Sequence, residues 1–124
     1  MSSGNLKPET SFQAVVGQVI VKMRKELAIE QGELAEKVGV TQSTWSRIER
    51  GESSFSIGQL FDAANSLRIN SSTILLETEK AVSELRAQGV IVRNVKPKSN
   101  KEPNGAALIS AAALGALVLS LIHI

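Results

Sequence analysis

The residues best suited to a specific chemistry lie close together in the first half of the chain. Trp45 and Ile48 are the apolar residues of a short helix predicted over residues 42–50. When these two face the protein interior, the helical repeat turns four polar side chains outward: Gln42, Ser43, Ser46 and Arg47. Amide, hydroxyl and guanidinium groups make directional hydrogen bonds, so this face is suited to recognition.

Catalysis is a poor alternative because the residues that it needs are missing. The sequence has no Cys, and its single His, His123, is the last residue but one. A His-based catalytic triad, a Cys nucleophile or a zinc site therefore has nothing to be built from. We expect no enzymatic activity, no metal and no cofactor. The lack of Cys also fits a reducing cytoplasm.

Five predicted helices position the polar face. Aromatic residues make up only 3% of the chain, which argues against a β-sandwich or barrel and favours an all-α domain. The first helix has apolar residues at helical spacing: Phe12, Val15, Val16, Val19, Ile20, Met23 and Leu27. A second helix is predicted over residues 31–38.

The fourth and fifth helices follow the polar one. Ser56 and Gln59 form the pattern of a capping box, which predicts a helix start at Ser56. The residues of this fourth helix predicted to be buried are Ile57, Leu60, Phe61, Ala64 and Leu67. The fifth helix begins after Asn70 or Ser71 and ends at Gly89, and its predicted buried residues are Ile74, Leu75, Ala81, Val82 and Leu85.

The second and third helices are separated only by Gly39, Val40 and Thr41. Gly39 permits the positive φ of a sharp bend, and Thr41 is a good N-cap for the third helix. Ala35 is small at the point where the two helices would touch. This is the sequence pattern of a helix-turn-helix.

This segment resembles the Cro/C1-type (Xre) helix-turn-helix family of bacterial and phage transcriptional regulators. The resemblance rests on Gln-x-x-Leu-Ala from Gln31, Gly-Val at 39–40 and Ser-Arg-Ile-Glu-Arg-Gly at 46–51. It covers roughly residues 14–70 and implies a five-helix, lambda-repressor-like fold that binds double-stranded DNA. Three positions depart from the family pattern: Glu30 at an N-cap, Trp45 in place of Ile or Val, and Phe55 in place of Pro.

The resemblance implies a role for each polar residue of the motif. The third helix would lie in the major groove, with base contacts from Gln42, Ser43, Ser46 and Arg47. The implied phosphate contacts are Gln31, Thr41, Thr44 and Arg50. Arg24 and Glu49 would form a partly buried ion pair that holds the third helix against the first. The alternative is that these are unrelated polar residues in solvent, with Arg50 a partner of the helix dipole.

The net charge of +2 hides an uneven distribution. Residues 1–85 carry nine Lys or Arg and eleven Asp or Glu, whereas residues 86–105 carry five basic residues and one acidic residue. The basic character thus belongs to the segment after the helices, and it is no evidence that the folded domain binds nucleic acid. Together with the three departures from the family pattern, this predicts a modest non-specific affinity.

The predicted organisation is a helix-turn-helix domain over 10–88, a basic linker over 89–105 and an apolar helical tail over 106–124. Residues 89–95 could form a short strand or an extended linker. The tail is long enough for a helix of about 28 Å, near the thickness of a bilayer core. It could anchor the protein in the inner membrane, or pack as an Ala-rich helix in an oligomer. Residues 119–124 resemble the translation of a transposon-end adapter used in DNA library preparation, and would then not be native.

The sequence therefore predicts a transcriptional repressor that binds a two-fold operator as a homodimer, in the cytoplasm at the nucleoid. The candidate dimer surface lies on the fifth helix, at Leu75, Val82 and Leu85, although these residues could instead fill the domain's own core. One alternative is an antitoxin that represses its own operon and binds a toxin. Another is a membrane-anchored scaffold that contacts protein. The presence of Gln42 and Arg47, which suit contact with DNA bases, argues against this scaffold.

Overall fold

Helices dominate the computed structural model, which describes residues 7–94 and 106–121, and the predicted all-α class is confirmed. In chain order the elements of these residues are β1 (Lys7–Ser11), α1 (Phe12–Glu26), α2 (Gln31–Val38), α3 (Gln42–Glu49), α4 (Ile57–Ser66), α5 (Ser71–Ala87), β2 (Ile91–Arg93), β3 (Ala106–Leu108) and α6 (Ala111–Leu121).

The starts of the central helices follow from local hydrogen bonding. The Thr41 hydroxyl accepts a bond from the Thr44 amide at 3.1 Å and so caps α3. At α4 both bonds of the predicted capping box are present, between Ser56 and Gln59. Gly39 ends α2 in the left-handed conformation, with φ of 90°. The short turn that defines the motif is therefore encoded locally.

The core forms around α1, which contacts α3, α5 and α6. Its fully buried side chains include Val15, Val19, Ile20, Leu34, Trp45, Ile74 and Leu85. Van der Waals contact among these residues holds α1, α2, α3 and α5 together, and their burial is the main favourable contribution to folding.

The predicted buried face of α4 was partly wrong. Ile57 is 85% exposed and Phe61 is 56% exposed, whereas α4 packs through Leu60, Ala63 and Ala64. Phe55, from the preceding loop, lies edge-on to Trp45 with ring centroids 6.2 Å apart. The loop thus supplies the aromatic ring beside Trp45, and α4 turns its own aromatic residue outward. Leu27 and Leu75, also predicted to be buried, are exposed as well.

Three short parallel strands form a sheet in the order β2-β1-β3. Glu9 of β1 is paired with Ile91 on one side and Leu108 on the other. The Glu9 carboxylate is buried and accepts a bond of 2.5 Å from Nε of Arg93. The strand at 91–93 agrees with one of the two predictions for that segment, whereas β1 and β3 had not been predicted.

Helix α6 packs against α1 and buries Leu114 and Val118. The two helices approach closely at Gly115, where a Cβ atom would lie 2.6 Å from Oε1 of Gln18. Over the described residues, no helix combines the length and the apolar character that a bilayer crossing requires. Residues 95–105, which hold most of the predicted basic linker, and His123 lie outside the described residues, and the predicted division of the chain stays a prediction.

Candidate nucleic-acid interface

Helix α1 fixes the end of α3 through its backbone. A Cβ atom on Gly17 would lie 2.2 Å from the carbonyl oxygen of Glu49, so the two helices can cross this closely only with glycine at that position. Beside it, Nε2 of Gln18 donates to the same carbonyl at 3.2 Å. A carbonyl of the last turn, which has no partner within α3, is thereby satisfied by α1.

Trp45 anchors the inner face of α3. Its side chain is fully buried, so the bulky replacement at this position does not leave an exposed indole rim. The indole Nε1 donates to Oε2 of Glu49 at 2.7 Å. A buried indole N–H needs an acceptor, and Glu49, one turn further along, supplies it.

Glu49 also pairs with Arg24 of α1, the two residues that the family resemblance had joined. Nε of Arg24 lies 2.8 Å from Oε2 of Glu49, and Nη2 lies 2.9 Å from Oε1. The side chains are 10% and 3% exposed. The hydrogen bonds with Glu49 raise the pKa of Arg24, so the guanidinium stays charged. Such a two-pronged, desolvated pair holds its partners in one orientation.

A chain of amides leads from this buried pair to the surface. Nε2 of Gln31 donates to Oε1 of Glu49 at 2.8 Å, and Nε2 of Gln42 donates to Oε1 of Gln31 at 3.4 Å. Because Glu49 can only accept, it fixes the amide orientation of Gln31, and Gln31 then orients Gln42. One predicted phosphate contact and one predicted base contact are thus connected to the core.

The predicted contact residues of α3 lie on its outer side. Gln42, Ser43 and Arg47 are exposed, whereas Thr44 and Ser46 are half-buried. Thr41 is exposed, and its hydroxyl donates to Oγ1 of Thr44 at 3.1 Å. The structure therefore places amide, hydroxyl and guanidinium groups side by side on a rigid helix, as hydrogen bonding to base edges requires.

Arg50, the last of the predicted phosphate contacts, has protein partners. Its Nε and Nη2 donate to the two carboxylate oxygens of Glu52 at 3.0 and 3.2 Å, and its Nη1 donates to Oγ of Ser46 at 2.6 Å. The Arg50 and Glu52 side chains are 43% and 51% exposed. The hydrogen bonds to Glu52 raise the pKa of Arg50.

The sequence had not predicted Glu52 or Gln18 as part of this region. Glu52 approaches Arg50 because Gly51, with φ of 78°, turns the chain back on itself. The Gly that ends the motif was a signal for that turn. Gln18 acts through the crossing of α1 and α3, for which the spacing of residues carries no signal.

Part of the chain is similar to known proteins. A family model described as helix-turn-helix matches residues 20–74. The clp gene regulator ClgR from Corynebacterium glutamicum is similar in structure, with a TM-score of 0.60 and 23% identity over 62% of this chain and 82% of that chain. A chain of a SinR protein/SinI protein complex shows a TM-score of 0.45 and 35% identity over 60% of this chain and 81% of that chain. No curated protein matches the sequence.

Proposed function

We propose that the chain is a Cro/C1-type DNA-binding transcription regulator, and specifically a repressor that binds a two-fold operator as a homodimer; the match of residues 20–74 to a helix-turn-helix family model supports this. The observation that carries the proposal is the outer face of α3, where Gln42, Ser43 and Arg47 are exposed on a helix held by Glu49. Repression follows if the bound protein occludes RNA polymerase.

The exposed residues of α3 read the bases in this proposal. Gln42 pairs with N6 and N7 of adenine, and Arg47 pairs with O6 and N7 of guanine. Each such pair contributes about 1–3 kcal/mol of discrimination against a wrong base. The connection from Gln42 through Gln31 to Glu49 supports this role, because a side chain that is already oriented loses less conformational freedom on binding.

The phosphate contacts lie beside the base contacts. Gln31, Thr41, Thr44 and Arg50 are proposed to position α3 against the DNA backbone. At the start of α2, the Glu30 side chain makes no capping hydrogen bond. The first amides of α2 therefore have no acceptor from that side chain and are available to a phosphate oxygen.

The dimer surface differs from the one first predicted. Val82 and Leu85 are buried in the domain's own core and cannot also face a second copy, so of the three residues on α5 only Leu75, which is 37% exposed, could take part. We place the contact instead on α4, at the exposed Ile57 and Phe61. This helix follows α3 directly, and a two-fold axis near it can bring two α3 helices to half-sites about 34–36 Å apart.

Selection of bound duplexes from a random pool tests the proposal with the full chain. We expect a two-fold symmetric sequence to be recovered and to bind more tightly than a scrambled duplex of the same length. Equal binding of the two duplexes at physiological salt would refute the proposal, and would favour a domain that contacts protein. The antitoxin and membrane-scaffold alternatives stay predictions, as does localisation at the nucleoid.

A further inference from the structure

The hydrogen bonds at the end of α3 point to a second role for Arg50. We propose that Arg50, held by Glu52, directs the hydroxyl of Ser46 toward the DNA as a hydrogen-bond donor to a base-edge acceptor. Arg50 is then a positioning residue for a base contact. The inference rests on the proposed function and names the chemistry of one of its contacts.

The direction of the Arg50–Ser46 bond is fixed by the chemistry of the groups. A guanidinium has N–H donors and no acceptor, so the 2.6 Å bond from Nη1 of Arg50 must be accepted by Oγ of Ser46. This bond occupies a lone pair of the hydroxyl and leaves its proton free. The charge of Arg50 also polarises the hydroxyl and makes it a better donor.

The proton of Ser46 is not taken up by the helix. A serine or threonine inside a helix commonly donates to the carbonyl four residues earlier. Ser66 donates in this way to Asp62 at 2.9 Å, and Thr78 donates to Ile74 at 2.8 Å. In the part of the chain that the structure describes, Ser46 makes no such bond to Gln42, and its hydroxyl is left to donate outward.

Glu52 keeps Arg50 in the orientation that this requires. It binds Nε and Nη2 through its two oxygens, which leaves Nη1 directed at Ser46. The backbone of Glu52 is itself anchored to α3, since its amide donates to the carbonyl of Arg47 at 2.8 Å. Gly51 lies against α1, where a Cβ atom would come within 2.6 Å of Ala14. The turn that presents Glu52 is therefore tightly constrained.

A hydroxyl that a neighbouring cation polarises pairs better with an acceptor than with a donor, so it discriminates among bases. In the major groove guanine offers O6 and N7, adenine offers N7 and thymine offers O4, all of them acceptors. Cytosine offers its N4 amino group, which is a donor. Oγ of Ser46 keeps a second lone pair, but the positive charge of Arg50 beside it disfavours a further donor, so we expect cytosine to be the least favoured base opposite Ser46.

Binding of the full chain to its selected operator, and to operators changed at one base pair, tests the proposal. Ser46→Ala and Arg50→Ala should each reduce discrimination at the same base pair by about three- to tenfold. The double variant should lose no more discrimination at that base pair than either single variant does, because both changes remove the same contact. Ser46→Thr keeps the hydroxyl and should keep the preference, whereas Arg47→Ala should act at a different base pair.

Two results would overturn the proposal while leaving the proposed function intact. In the first, Arg50→Ala weakens binding to all duplexes alike and leaves the base preferences unchanged, as loss of a phosphate contact alone does. In the second, Ser46→Ala leaves the base preferences unchanged. A wild-type chain without any preference would instead overturn the proposed function itself. Arg50→Lys is a milder variant for the case that Arg50→Ala misfolds. It keeps the charge but lacks the planar fork of donors, so it should also reduce discrimination.

Discussion

Glu49 accepts hydrogen bonds from three side chains that come from different helices: Arg24, Gln31 and Trp45. Its removal would leave the buried guanidinium of Arg24 without a counter-charge. We expect Glu49→Ala to lower the free energy of unfolding by about 3–5 kcal/mol, measured by urea denaturation. Glu84→Ala on the exposed side of α5 is the control and should stay within about 0.5 kcal/mol of wild type. Equal effects of the two changes would show that the buried pair does not stabilise the fold.

Arg47 is the exposed cation of α3, and we expect Arg47→Ala to act on specificity more than on folding. Loss of a two-pronged contact with guanine should reduce discrimination at one operator position by roughly 5- to 100-fold. Competition binding with single-base operator variants measures this. Lys80→Ala removes an exposed cation of α5, a helix without predicted DNA contacts, and should leave the base preferences unchanged. A uniform loss of affinity with Arg47→Ala would mean that Arg47 contacts phosphate.

At the scale of single residues, the sequence predicted which side chains take part in the site better than it predicted their hydrogen-bond partners. The positions of Arg24 and Glu49 in the family pattern were sufficient to join them. The Glu49 carboxylate also accepts a hydrogen bond from the indole of Trp45. That contact depends on how far the larger ring reaches across the core. Glu52 takes part only through the turn at Gly51, and that turn brings together groups whose pairing no local pattern encodes.

The crossing of α1 and α3 is the contact between elements on which the candidate interface depends most. We expect Gly17→Ala to destabilise the protein by about 1–3 kcal/mol or more, because its Cβ atom would meet backbone rather than a movable side chain. Gly58→Ala is a matched control, since the nearest atom to its Cβ is a side-chain oxygen 3.7 Å away. That variant should be neutral or more stable by about 0.5–1 kcal/mol. Thermal unfolding of both variants measures the two changes in stability. A stable Gly17→Ala variant would argue against the close crossing.

The sequence predicted helices better than strands for a physical reason. Helix ends depend on neighbours in the chain, as at Gly39, Thr41 and Ser56, where local hydrogen bonds decide. The strands β1 and β3 are short and pair in parallel with distant segments, so their sequences carry almost no local signal. Ile57 and Phe61 fit the helical repeat of α4, yet the repeat alone cannot show that Phe55 occupies the space beside Trp45.

On the scale of the whole molecule, α6 belongs to the same core as the helix-turn-helix. We expect Leu114→Ala to lower the free energy of unfolding of the entire domain by about 2–5 kcal/mol, because Leu114 is fully buried. Leu119→Ala is the matched control on the same helix, since Leu119 is 59% exposed. Denaturation followed by Trp45 fluorescence reports on the core. No effect of Leu114→Ala on that signal would indicate that α6 is an independent tail.

The oligomeric state is also a property of the whole molecule. We expect Ile57→Asp to leave the fold intact and to favour the monomer, which sedimentation velocity would detect. Affinity for the two-fold operator should fall by about a hundredfold or more, because one copy binds one half-site. Leu27→Asp replaces another exposed apolar residue and should leave the dimer unchanged. A dimer that persists in Ile57→Asp would move the contact away from α4.

The parallel sheet sets an order of events during synthesis. Glu9 is separated from Arg93 by 84 positions, and β3 follows later still. A nascent chain leaves the ribosome with β1 first, so this strand must wait, solvated and unpaired, while α1 to α5 assemble beside it. The carboxylate of Glu9 loses its water only when Arg93 arrives to replace it. Enclosure of that charge can therefore come only after the helix-turn-helix has emerged.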